Sequence, residues 1–107
     1  MKFEVEKAFA KDFRKLKNRE LAIAISESIT QVSEASTIKE IANLKKLTGY
    51  KSAFRIRIGD YRIGVTIEKS IVTFVAFAHR SHFDVLTFYR KLFNECAATH
   101  KLIFLRN

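Results

Sequence analysis

Between Ser52 and Ile67 apolar side chains recur at every second position, and the run is broken only at Gly59-Asp60. Phe54, Ile56 and Ile58 share one face before the break; Tyr61, Ile63, Val65 and Ile67 share one face after it. A period of two is that of a half-buried strand. A Gly-Asp pair between two such runs reads as a hairpin turn, since glycine reaches positive φ without steric cost. The segment is therefore committed to two adjacent antiparallel strands. Glu68-Lys69-Ser70 makes another short turn, and Ile71 to Ala78 reads as a central strand buried on both faces.

The remaining elements must pack around this sheet. Phe3-Glu4-Val5 alternates and reads as a short first strand. Phe9, Phe13 and Leu16 then recur at helical spacing, with Lys7, Lys11, Arg14 and Lys15 around them, which predicts an amphipathic helix with a basic outer face. After a break at Lys17-Asn18-Arg19, Leu21, Ile25, Ile29 and Val32 form the stripe of a second helix. So short a link predicts an antiparallel helix hairpin. Thr37-Ile38-Lys39-Glu40 has the pattern of a capping box and predicts a short helical turn. Leu44-Lys45-Lys46-Leu47 leads to a turn at Gly49. After His79-Arg80 the helical period returns, with Val85, Leu86, Tyr89, Leu92, Phe93 and Cys96 on one side. The apolar tail, Leu102 to Leu105, is either a last strand or a segment that docks on a partner. The expected fold class is α+β: one domain over residues 1–107, with a curved, mainly antiparallel sheet, an N-terminal helix hairpin on one face and a C-terminal helix.

Twenty Lys and Arg against eleven Asp and Glu give a formal net charge of +9, which favours a polyanionic or acidic partner. Cys96 is the only cysteine, so no internal disulfide can form and a reducing compartment is expected. The N-terminus has no long apolar stretch of the kind a signal peptide needs, and Ile71 to Ala78 is too short to span a membrane. A cytoplasmic protein without a membrane partner is the expectation. No glycine-rich phosphate loop precedes a helix, so no small-molecule cofactor is expected. No CxxC pair or HExxH helix accompanies His79, His82 and His100, so no metal site is expected either. Ser70 and Ser81 have no triad context.

Chemistry concentrates in the arginines. Alternation aims Arg55 and Arg57 to the same side of the sheet, hairpin pairing can bring Arg62 beside them, and Arg80 ends the central strand. Converging guanidinium groups repel each other, and such a cluster is best tolerated where an anion sits among them. The planar guanidinium fork pairs two phosphate oxygens at once and keeps its charge at any usable pH.

The stretch Leu44-Lys45-Lys46-Leu47-Thr48-Gly49-Tyr50, followed by Phe54-Arg55-Ile56-Arg57-Ile58-Gly59-Asp60-Tyr61-Arg62-Ile63, closely resembles the signature of RelE-type toxins in the RelE/ParE superfamily. A second match is Ala78-His79-Arg80 at the end of the last long strand. The resemblance implies a RelE-like fold and the toxin of a type II toxin–antitoxin pair. It further implies cleavage of messenger RNA in the ribosomal A site, with the ribose 2′-hydroxyl attacking the adjacent phosphate. Its partners would be a cognate antitoxin and the messenger on the ribosome. On that resemblance Arg62 and Arg80 hold the scissile phosphate and stabilise its developing charge, and Arg55 and Arg57 line the groove with Lys45 and Lys46. Where some relatives use lysines for proton transfer, Arg55 and Arg57 can bind and stabilise but cannot act as bases.

One departure bears on mechanism. Many relatives carry a tyrosine a few residues after the His-Arg pair; here the chain runs Ser81-His82-Phe83-Asp84. Phe83 can stack on a base but cannot carry a proton. His79 and His82 are the natural substitutes, since imidazole titrates near neutral pH, with Asp84 the weaker candidate. Two other functions remain compatible with the scaffold: a ParE-like inhibitor of DNA gyrase, and a non-catalytic protein that binds RNA or a partner.

Overall fold

The computed structural model describes residues 1–47 and 52–83 and the backbone of 101–102. Strand β1, Lys2–Glu6, passes without a loop into helix α1, Lys7–Arg14. Phe3 and Val5 point inward from the strand, Phe9 follows from the helix, and all three are buried. Lys7, Lys11, Arg14 and Lys15 are exposed, as the predicted basic face requires.

Helix α2, Arg19–Glu34, begins at Asn18, whose side-chain oxygen accepts the Leu21 N–H and so satisfies a donor that every helix start leaves open. Leu21, Ile25 and Val32 are buried on the expected stripe, and Ile29 packs half-buried on the same core. At the far end the Met1 ammonium donates to the carbonyls of Val32, Ser33 and Ala35, placing a cation at the negative end of the helix dipole. Glu40 then reaches back to accept the N–H groups of Ser36 and Thr37, and the capping box opens a single 3₁₀ turn, Ile38–Glu40.

The other strands are β2 (Leu44–Lys46), β3 (Ala53–Ile58), β4 (Tyr61–Glu68), β5 (Ile71–His79) and β6 (Lys101–Leu102). They join β1 in a six-stranded sheet of order β2-β3-β4-β5-β1-β6. All pairings are antiparallel except β1 with β5, which is parallel. Strand β2 was not foreseen from the sequence, where Leu44 to Leu47 read only as a lead-in. Three residues are too few for a period to show, yet β2 supplies partners for backbone groups on the outer edge of β3. Of the two readings of the tail, the strand applies to Lys101–Leu102, which pairs with β1. The expected C-terminal helix, Asp84 and His100 lie outside the described residues.

Helices α1 and α2 cover one face of the sheet. Beneath them Phe9 sets its ring 5.8 Å from Phe74 and 5.1 Å from Phe77, centroid to centroid, and Ile25, Ile56, Ile63 and Val65 close the core. Phe74 and Phe77 are three apart, which strict alternation would send to opposite faces. The ladder explains the exception: Gly64 pairs with Ala76 but Val65 pairs with Phe74, so Val75 is an extra residue bulged out of β5. The bulge turns Phe77 back onto the helix-covered face and leaves Val75 on the other, packed with Leu47 and Ala53. The Gly59-Asp60 turn has the positive φ, 60°, at the glycine. The Lys69-Ser70 turn takes both residues to positive φ, 51° and 65°, the geometry a type I′ hairpin demands even without glycine. No helix among the described residues is long and apolar enough to cross a membrane.

Candidate functional site

Residues directly opposed across a ladder project to the same face. On the face away from α1 and α2, register sets out one row of Lys45, Arg55, Gly64 and Ala76, and a second of Arg57, Arg62 and Ala78. Small residues from β4 and β5 thus form a floor beside a bank of cations from β2, β3 and β4. Lys45 belongs to that bank. Lys46 does not: it opposes Phe54 and shares the other face, where it is exposed at the edge strand.

Arg62 is the electrostatic centre. Its pKa is held below the ordinary guanidinium value by desolvation first and then by repulsion from Arg55, Arg57 and Arg80, with Asp60 acting in the opposite direction. The group keeps its charge regardless; the direction records that the sheet brings the other three arginines within reach of it. Its Nη1 donates to the carbonyls of Gly59 at 3.1 Å and Tyr61 at 3.0 Å, so the hairpin turn fixes one arm of the guanidinium and leaves Nε and Nη2 outside those bonds.

Arg80 arrives from the other side. Its backbone N–H donates to the Asp60 carbonyl at 2.7 Å, tying the end of β5 to the tip of the β3–β4 hairpin. Its Nε lies 3.8 Å from Asp60 Oδ1, with the two side chains 65% and 69% exposed. A pair so long and so solvated holds Arg80 weakly, and an arriving anion can take it over.

The histidines occupy the rim and not the floor. His79 opposes Tyr61 across β4 and β5, so it projects to the side opposite Arg62. Its ring packs edge-on to Tyr61 at 5.3 Å and lies 6.4 Å from His82. The N–H groups of His82 and Phe83 both donate to the His79 carbonyl, closing a tight turn that sets His82 in solvent. Phe83, expected to face a base, is half-buried on Leu47, Ala53 and Val75, a small apolar cluster on the arginine face. It flanks the floor as packed side chain and presents only part of its ring.

Of the residues singled out in the sequence, Arg55, Arg57 and Arg62 share one face with Lys45, and Arg80 reaches Arg62 from the end of β5; His79 and His82 stand together at that end, with His79 turned to the other face; Lys46 lies apart. Three contributors were missed. Asp60 read only as a turn residue, Tyr61 only as a core-facing one, and Ser81, which contacts His79, only as a serine without a triad. Among the described residues no three His, Cys, Asp or Glu side chains gather as a metal site. What the arrangement can do is bind a phosphodiester: several permanent cations converge over small residues, and rings that can carry or donate protons stand at the edge.

Known proteins resemble this chain in sequence and fold. Residues 3–82 match the family described as the ParE toxin of the type II toxin–antitoxin system, parDE. Toxin RelE3 of Methanocaldococcus jannaschii is 28% identical over 81 residues, 75% of this chain and 91% of that protein. The crystal structure of the RelB–RelE antitoxin–toxin complex from Methanococcus jannaschii superposes with a TM-score of 0.51 at 26% identity, covering 72% of this chain and 89% of the matched one. The isolated E. coli RelE toxin superposes with a TM-score of 0.59 at 20% identity, covering 85% and 96%, and speaks for the fold alone.

Proposed function

Since the chain belongs to the ParE toxin family of type II toxin–antitoxin systems, within the RelE/ParE superfamily, we propose that it is a ribosome-dependent endoribonuclease that cuts messenger RNA in the A site. The observation that carries this reading is the convergence of Arg55, Arg57 and Arg80 on Arg62. Such a cluster is costly in the absence of an anion and suits a phosphodiester whose charge grows in the transition state.

The cleavage we propose needs no bound cofactor. The 2′-oxygen attacks the adjacent phosphorus, the bond to the 5′-oxygen breaks, and a 2′,3′-cyclic phosphate and a 5′-hydroxyl result. Arg62 and Arg80 grip the non-bridging oxygens, while Arg55, Arg57 and Lys45 guide the flanking backbone. Proton transfer falls to the rim where His79 and His82 stand, to one or both of them, because the arginines cannot release a proton. The ribosome would supply the substrate geometry that an open face cannot impose alone.

A cognate antitoxin is the proposed protein partner, by likeness to the RelB–RelE complex. An acidic segment laid along the cation bank would neutralise it and block access to RNA. A second reading, a ParE-like inhibitor of DNA gyrase, is favoured by the family description itself. A purified translation assay separates the two. Defined A-site cuts that Arg80→Ala abolishes are the expected result. Intact messenger, with supercoiling by gyrase inhibited, would replace the first reading with the second.

A further inference from the structure

The two rim histidines are not equivalent. The backbone N–H of Ser81 donates to His79 Nδ1 at 3.2 Å, and the Ser81 hydroxyl oxygen lies 2.8 Å from the same nitrogen. A backbone N–H can only donate, so Nδ1 must present its lone pair, and the ring proton of neutral His79 sits on Nε2. The Ser81 hydroxyl then donates as well. Tyr61 packs against the ring on one side and His82 stands on another, so the tautomer is held on a positioned ring.

We propose that His79 is a fixed, neutral hydrogen-bond donor to the RNA, held in its Nε2–H form by Ser81, and that His82 alone exchanges a proton with the substrate. The second half rests on the nuclease reading above; the first does not. The chemistry separates the roles. A neutral imidazole that gave up its Nε2 proton would become an imidazolate, which is not accessible in water near neutral pH. It cannot accept a proton at Nε2 either, because that site is filled. Accepting one at Nδ1 would turn a hydrogen toward the Ser81 N–H, cost that bond and force the Ser81 hydroxyl to turn from donor to acceptor. His79 can therefore donate a hydrogen bond to a substrate oxygen and keep its proton throughout. His82 is exposed, with no side-chain hydrogen bond among the described residues to fix its tautomer, and can take a proton from the 2′-hydroxyl or return one to the 5′-oxygen. Among the described residues the charged side chains next to this rim are Arg80, which follows His79 in the chain, and Asp60, its weak partner. Ser81 is in this scheme a positioning residue.

Two measurements on the full chain test the proposal. The first is the two-bond ¹H–¹⁵N correlation of the histidine rings at alkaline pH, assigned with His79→Gln. The expected pattern for His79 is the Nε2–H tautomer; an Nδ1–H pattern or an even mixture overturns the lock. The second is messenger cleavage by substituted toxins across pH. His79→Gln keeps a donor near the Nε2 position without a titrating group, and should lose clearly less activity than His79→Ala while keeping both limbs of the pH profile. His79→Ala should lose about 10- to 100-fold. His82→Gln should lose about 10²- to 10⁴-fold. If His79→Gln is as inactive as His79→Ala and drops a limb of the pH profile, His79 carries a proton and the division of roles is wrong. If the wild type cuts nothing, the nuclease reading and the His82 role fall together, while the tautomer spectrum still decides the role of Ser81.

Discussion

The two faces of the sheet are built on opposite principles. Under the helices, Phe9, Ile25, Ile56, Ile63 and Phe74 are all within 2% of complete burial, and their aromatic rings interlock. On the other face, Arg55, Arg57 and Arg62 occupy neighbouring register positions with a lysine beside them and small residues alongside. The first face gains stability by excluding water. The second gives some up, since like charges are gathered where separation would cost less. A single strand such as β3 serves both, with Ile56 turned to one and Arg57 to the other, so the apolar side must offset what the basic side costs.

This contrast can be broken most forcefully from below. Phe9→Ala should lower unfolding stability by about 3–5 kcal/mol, because a fully buried ring leaves a cavity between Phe74 and Phe77; denaturant melts would measure it. A loss below about 1 kcal/mol would mean that the helix-covered face is not the source of stability. From above, Arg80→Ala should cut messenger cleavage by about 10²- to 10³-fold with little change in stability. If stability falls as much as activity, the arginine face is structural after all. Asn18→Ala, which removes the cap of α2 on the side of the sheet away from the arginines, should cost about 1 kcal/mol in the same melts and leave cleavage per folded molecule unchanged. The finest discrimination lies in adjacent lysines. Lys45→Ala should weaken RNA binding a few-fold and lower its salt slope by about one unit, whereas Lys46→Ala should do neither. Equal effects would show that strand register does not define the basic bank.

The apolar face could be read almost entirely from the chain, because periods of two and 3.6 are strong signals wherever a long element is half-buried. Both N-terminal helices and the β3–β4 hairpin follow from such patterns. The basic face was readable in its residue types and only partly in its geometry. Which cations share a row depends on register across β2, a strand too short to carry a period, so Lys45 and Lys46 looked alike. Phe83 was assigned to substrate on its ring alone; its packing on Leu47 and Val75 joins segments distant in sequence. The Ser81 contact with His79 arises from the turn after β5, and no spacing rule marks it.

Val75 sets where one reading frame of β5 ends and another begins. Upstream of it, Val72 and Phe74 face the helices; downstream, the positions facing that way are Phe77 and His79. Were the bulge straightened, with Val75 taking the ladder position opposite Gly64, Phe77 and His79 would swing among the arginines, and Ala76 and Ala78 would lie under Phe9. The chain would lose an aromatic contact and fill the floor of its own basic groove with bulky rings. The bulge at Val75 therefore acts as a phase shift, letting a continuous strand serve a dry interior along one stretch and an uncluttered anion surface along the next.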